Sequence, residues 1–261
     1  MTLRRNRALA GIALLEIAIL VMVLAIAVTL TIPRLLRARV ASNEARAALM
    51  LRNLVAYETA FRADAVVDQD ADGVGEYGLL GELATRRDPA TGKLVGELIP
   101  RAAQKRLKAA YLPEDFATGG RAPDADGCAA TGGYVYRLCL AAKVGEDKSI
   151  VAGDDHVLGG TETQAGPTLT DVDAIDLQQK CFVVYAWPVE AGVSGKRAFA
   201  ITQAGKLVAT DMAARLYSGR GPLGAPNTPA ADAAFTGEAL VSPLADGKPG
   251  RDGNVWVLLK P

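Results

Sequence analysis

The chain has 261 residues, half of them hydrophobic, and its 29 basic and 29 acidic residues give a formal net charge of zero. This length accommodates a membrane anchor together with one or two domains. Because a balanced charge creates no general attraction for a phosphate backbone, we do not expect nucleic acid among the partners of this protein.

The first predicted element is a membrane-spanning helix. The segment from Ile12 to Ile32 carries a single charge, Glu16, and at the rise of an α-helix it spans roughly 30 Å, the thickness of the hydrocarbon layer. A carboxylate inside such a span costs about 2.5 kcal/mol or more, so Glu16 is a candidate functional residue. The basic residues Arg4, Arg5 and Arg7 ahead of it predict a cytoplasmic amino terminus and an extracytoplasmic remainder.

A basic leader, Gly11, an apolar run with Glu16 near its start, and Pro33 together resemble the amino-terminal signature of type IV pilins and type II secretion pseudopilins. The resemblance covers roughly Arg4 to Phe61. It departs from the common pattern at Ile12, where Phe or Met is usual, and at the next residue, where Thr is frequent.

The resemblance implies a function in assembly. A prepilin peptidase would cut between Gly11 and Ile12 and methylate the new amino terminus, and Glu16 would pair with the amine of Ile12 on a neighbouring subunit. The expected partners are copies of the chain, other pilins or pseudopilins, an inner-membrane assembly platform and membrane lipid. The implied architecture is an α+β, pilin-like fold, in which residues 1–11 are the leader, 12–33 the filament-core helix, 34–62 its amphipathic continuation and 63–261 a globular extracytoplasmic domain.

Two other interpretations of the amino-terminal segment remain open. A small-x-small site at Ala25 to Ala27 follows an apolar core, as in a signal peptide whose cleavage after Ala27 would release a secreted protein. Alternatively, the segment is a plain single-span anchor that tethers an extracytoplasmic binding module. A plain anchor accounts for the length but does not account for Glu16 or the placement of Gly11.

After Pro33, apolar residues recur at three-, four- and seven-residue steps, which predicts that the helix continues as an amphipathic segment. The apolar positions are Leu36, Val40, Ala47, Leu51, Leu54 and Phe61. Pro33 itself lacks an amide donor, so we expect the helix to bend or to melt locally there.

An acidic segment follows the predicted helix. Asp68, Asp70 and Asp72 alternate and precede Gly73, which is the opening half of a calcium-binding loop. The bidentate glutamate expected at the end of that loop is replaced by Leu79, although Glu76 or Glu82 can substitute for it. The two open interpretations are a calcium site formed by Asp68, Asp70, Asp72 and Glu76, and a solvated acidic turn.

The carboxy-terminal half predicts an antiparallel sheet, because short segments rich in aromatic and β-branched residues are bounded by turns. These segments are 134–140, 181–187, 198–203, 206–210 and 254–260, with a hairpin at Ala204-Gly205. We also expect helices within 78–112, one of them over 104–111, a loop over 117–133, a helix over 171–179 and loops over 219–253.

The three cysteines, Cys128, Cys139 and Cys181, lie in the segment expected outside the cytoplasm, where disulfides persist. If the strands at 134–140 and 181–187 pair antiparallel, Cys139 comes close to Cys181, and we predict that disulfide, with Cys128–Cys139 as the alternative. No enzyme is predicted. The G-x-G-x-x-G string at 219–224 lacks a preceding strand and contains Pro222, and His156 has no second metal-binding histidine in the sequence.

Overall fold

A computed structural model describes residues 3–83, 85–87, 94–96, 98–99, 105–106, 111–112, 128–146, 149–153 and 172–260 of the chain. The chain divides into two compact units, Met1–Ser42 and Asn43–Pro261. Two further helices and twelve strands follow the long first helix among these described residues.

The first helix, α1 (Leu3–Ala63), is 61 residues long and passes through Pro33 without interruption. The expected local melting at this proline is therefore wrong. A proline inside a helix removes only the one amide bond that its own nitrogen would donate, and the flanking bonds maintain the helix here. The Thr29 hydroxyl also donates to the Ala25 carbonyl at 2.7 Å, a local bond within the same helix.

The predicted apolar stripe of α1 is buried only in its second part. Ala47, Leu51, Leu54 and Phe61 are completely buried, which confirms the stripe over this part of the helix. Leu36, by contrast, is exposed. The helical period therefore describes a core-facing surface only within the unit that begins at Asn43.

One antiparallel sheet of eight strands forms the centre of the larger unit. Its spatial order is β11-β12-β10-β9-β8-β6-β5, and β7 pairs with β6 beyond the end of β5. The strands are β5 (Ala129–Thr131), β6 (Tyr134–Val144), β7 (Ile150–Gly153), β8 (Val183–Pro188), β9 (Ala198–Thr202), β10 (Leu207–Thr210), β11 (Lys248–Pro249) and β12 (Val255–Leu258). The chain thus has a long apolar amino-terminal helix and an antiparallel sheet, an α+β architecture.

Both faces of the sheet are buried along its central strands, whereas β11 and most of β12 are exposed. On one face, Tyr136, Leu138, Phe199 and their neighbours join the buried residues of α1 in a single hydrophobic cluster. The other face, which includes Tyr185, lies in a second cluster with residues of the long loop between β10 and β12. Every residue of β8 and β9 is buried, since these strands lie between two layers.

The smaller helices and hairpins can be compared with the remaining elements that the sequence predicts. Short hairpins are formed by β1 (Thr85–Arg87) with β2 (Leu94–Gly96) and by β3 (Leu98–Ile99) with β4 (Lys105–Arg106). The predicted helix over 104–111 is therefore wrong at Lys105 and Arg106, where pairing with β3 overrides helix propensity. The helices α2 (Leu80–Leu83) and α3 (Val172–Gln178), the five predicted strands and the β9–β10 hairpin agree with expectation.

Candidate functional site

The first half of α1 carries an exposed apolar surface. Every side chain that the structure describes between Glu16 and Arg39 is exposed, including Ile17, Leu20 and Leu24. A contiguous apolar surface of this length is rare on monomeric soluble proteins. Within the described residues, one helix is long and apolar enough to cross a membrane, and none of its apolar window is buried. By length and composition, α1 therefore meets the requirements of a single-pass anchor.

The residues proposed for processing and assembly all lie on this helix. Gly11 and Ile12 fall within α1, and Glu16 is exposed at the start of the apolar surface. The next charged residue along the chain is Arg34. Glu16 therefore has no oppositely charged residue one or two helical turns away on its own helix after it, where such pairs form.

The second candidate is the acidic loop that follows α1, comprising residues 64–79. Asp68, Asp70 and Glu76 each bring one carboxylate oxygen to within 4.8 Å of the others. Two oxygens that each lie about 2.4 Å from one calcium ion are at most about 4.8 Å apart, so this group fits the spacing of a calcium coordination shell. Oxygen is also the donor atom that this hard cation takes.

Buried carboxylates fix the backbone of the acidic loop. Glu76, which is fully buried, accepts the Gln69 amide at 3.0 Å. Glu58 of α1, also fully buried, accepts the Gly78 amide at 2.9 Å, and Glu82 accepts the Leu79 amide at 2.7 Å. These three hydrogen bonds hold the loop backbone in one conformation at Gln69, Gly78 and Leu79.

Glycines permit this conformation. Gly73 has φ 83°, the region that the turn requires, and its amide donates to Asp68 at 3.2 Å. A Cβ at Gly75 would lie 2.3 Å from the carbonyl oxygen of Arg62, and one at Gly78 would lie 2.2 Å from a methyl carbon of Leu83. Neither site has room for a side chain.

Asp72, the fourth predicted ligand, is not part of the group. It is exposed, and it accepts the Val74 amide at 2.7 Å and the Gln179 side-chain amide at 3.2 Å. The Val74 bond lowers the pKa of Asp72, whereas desolvation and the neighbouring Asp72 charge raise the pKa of Asp70. Leu79, where the calcium-loop pattern expects glutamate, is buried.

Two contributors to this loop did not stand out in the sequence. Glu58 lies four residues after Leu54 and three before Phe61, which places an acidic residue on the apolar stripe of α1. This placement is the sequence signal that points to Glu58. Gln179 reaches the loop from the end of α3, more than a hundred residues along the chain, and no spacing rule indicates it.

No family model, curated protein or solved structure matches this chain. Its function must therefore be inferred from the two sites themselves.

The cysteines do not form the predicted disulfide. All three are buried thiols in the structure. β6 pairs with β8 as expected, but Cys139 lies opposite Val183, and Cys181 precedes the strand. The Cys181 sulfur instead donates to the Leu177 carbonyl at 3.2 Å, and burial raises the pKa of this thiol to about 11.

The glycine string and His156 add no site among the described residues. Among the described residues 211–247, which contain the glycine string at 219–224, there is neither helix nor strand. His156 lies outside the described residues.

Proposed function

We propose that the protein is a structural subunit, a pilin or pseudopilin, of a type IV pilus-like or type II secretion filament. The observation that supports this most is the exposed apolar half of α1 with Glu16 near its start. In the proposal, a prepilin peptidase cleaves after Gly11, and the helix is held in the inner membrane with the globular domain outside the cytoplasm. The protein then assembles with its own copies and with other pilins, and catalysis is not part of its role.

The proposed assembly step is an exchange of environments. Apolar side chains such as Leu20 and Leu24 leave lipid for contacts with neighbouring helices. Glu16 leaves lipid for an ion pair with the methylated amine of Ile12 on the next subunit. Burial of an unpaired carboxylate is costly, so the pair selects the register in which the two helices meet.

The experiment that tests this function is intact mass measurement and amino-terminal sequencing of the protein from its native membrane or shed fraction. A chain that begins at methylated Ile12 supports processing by a prepilin peptidase. A chain that begins at Met1 favours a plain tether. A chain that begins at Val28 identifies a soluble secreted protein and eliminates the filament proposal.

Substitution of Glu16 tests the assembly step. Glu16→Ala should leave the protein in the membrane but reduce its recovery in sheared filaments, because the pairing carboxylate is lost. Thr29→Ala is the matched control, since it removes another exposed polar side chain of the same helix. Equal recovery of wild type and Glu16→Ala in the filament fraction would contradict the pairing role.

A second candidate function rests on the acidic loop. Here the protein is a membrane-anchored extracytoplasmic binding module that requires calcium, and α1 is only a tether. The observation that favours it is the approach of Asp68, Asp70 and Glu76 to within 4.8 Å. Asp68, Asp70 and Glu76 would hold the ion, whose charge would offset the repulsion among the carboxylates.

A further inference from the structure

We propose that three arginines form a cationic collar around α1 that binds the headgroups of anionic phospholipids. The collar consists of Arg34, Arg37 and Arg39, all exposed, directly after the apolar segment that ends at Ile32. This inference rests on the membrane anchor in the proposed function, but it does not depend on cleavage or on filament assembly.

Charge identifies the class of binding partner. From Ile17 to Ser42 the chain contains no acidic residue, so the collar is a local excess of three positive charges. Arginine binds phosphate through several N–H donors in a planar fork. In the proposed orientation the collar lies at the extracytoplasmic surface of the membrane. A negative surface potential arises in any leaflet that contains anionic lipids, and it attracts cations beside a membrane span.

The extent of the collar along the axis of α1 matches the thickness of the lipid headgroup layer. Arg34 to Arg39 covers five helical rises, about 7.5 Å. The polar layer on one side of a bilayer is roughly 5 to 7.5 Å thick, from the difference between the full and the hydrocarbon thickness. Residues placed immediately outside the apolar segment therefore have their charged ends at the depth of the phosphates, and arginine stems can extend along apolar surface to reach them.

Angular position favours lipid over a protein partner. At about 100° per residue, Arg37 lies about 60° to one side of Arg34 and Arg39 about 140° to the other. The three charges thus surround the helix and do not form one face. A bilayer contacts a spanning helix on all sides, whereas a partner protein would contact charges gathered on one side.

The test uses the full-length chain reconstituted in phosphatidylcholine vesicles that contain spin-labelled phosphatidylglycerol or spin-labelled phosphatidylcholine. Electron paramagnetic resonance then reports which lipid is immobilised on the protein. We expect the wild-type chain to immobilise about twice as much phosphatidylglycerol as phosphatidylcholine, or more. R34Q/R37Q/R39Q should remove at least about half of this excess of phosphatidylglycerol over phosphatidylcholine. Some preference will remain in the variant, because Arg4, Arg5 and Arg7 are present in the full chain.

The matched control is R46Q/R52Q/K206Q, which removes three exposed cations from the unit that begins at Asn43. It should retain the wild-type preference, and 1 M NaCl should abolish most of the preference, because the screening length falls to about 3 Å. An equal loss in the control, no loss in the collar variant or a preference that persists in high salt would overturn the proposal. A collar variant that keeps its lipid preference but no longer co-purifies with filament subunits would assign these arginines to a protein contact, which also overturns it.

The result of the collar test can be distinguished from the results that test the proposed function. Resistance of the reconstituted chain to alkaline carbonate extraction tests the anchor by itself, and amino-terminal sequencing tests the processing. An inserted chain without lipid preference refutes the collar alone, and a chain that carbonate extracts refutes the anchor and the collar together.

Discussion

Calcium should raise the thermal stability of the globular unit. At the dissociation constants of about 10⁻⁴ to 10⁻³ M that are typical of extracellular calcium modules, 10 mM calcium chloride is a ten- to hundred-fold excess. Binding to the folded state alone then contributes about 1.4 to 2.7 kcal/mol. For a domain of this size, that corresponds to an increase in melting temperature of about 3 to 10 °C. A fragment that starts at Arg34 contains all of the compact unit Asn43–Pro261 and is suitable for calorimetry.

The variant Asp70→Asn removes one of the three grouped carboxylates and should reduce this increase by at least about half, because the ion loses a charged ligand. Asp211→Asn is the matched control. Asp70 and Asp211 each accept the amide of the residue two positions on, at 3.3 Å and 3.2 Å, but Asp211 is remote from the group in sequence. A melting temperature that rises in calcium no more for the wild type than for Asp70→Asn would refute the site.

Three further predictions concern the fold. Leu51→Ala should lower the free energy of unfolding in urea by about 2 to 5 kcal/mol, because Leu51 is fully buried. The control Leu49→Ala, at a side chain that is 58% exposed, should change this free energy by under about 0.5 kcal/mol. Equal effects of the two substitutions would contradict the packing of α1 in the core. The Tyr111 hydroxyl donates a hydrogen bond to Asp64, and burial raises the pKa of Tyr111 from 10.0 to about 12. The protonated hydroxyl therefore stabilises the folded state fully below pH 10, and this stabilisation is lost as the pH rises through 12. Wild type should therefore lose more unfolding free energy than Tyr111→Phe between pH 9 and pH 12. A thiol reagent should label no cysteine in the folded chain and three after denaturation, since Cys128, Cys139 and Cys181 are buried thiols. A chain mass that is about two daltons lower without reductant than with it would instead indicate a disulfide.

Local sequence patterns predicted those parts of the fold that depend on periodicity. The continuous apolar run and the stripe at Ala47, Leu51 and Leu54 indicated α1. Short segments rich in aromatic and β-branched residues, bounded by turns, indicated β6, β8, β9, β10 and β12. The melting expected at Pro33 did not occur. The missing amide hydrogen bond at Pro33 is a local effect. A rule for one residue type does not include the many backbone hydrogen bonds on either side of the proline, which maintain the helix.

Tertiary contacts account for what the sequence did not reveal. The strand β7 is not among the strands that the sequence predicts, and it is a strand because it pairs with β6. The loop geometry depends on Glu58, whose position in a helix does not disclose that its carboxylate reaches the Gly78 amide. Asp72 had the spacing of a ligand, yet its contacts with Val74 and Gln179 direct it elsewhere.

The lack of space at Gly75 and Gly78 has an evolutionary consequence. Almost any substitution at either position would collide with the carbonyl oxygen of Arg62 or with the Leu83 side chain, so selection should tolerate change there far less than in the surrounding acidic turn. Divergent descendants of the same ancestor should therefore retain Gly-Glu-x-Gly shortly after a helix with a buried glutamate at the position of Glu58. This short string could identify distant kinship after overall sequence identity has been lost.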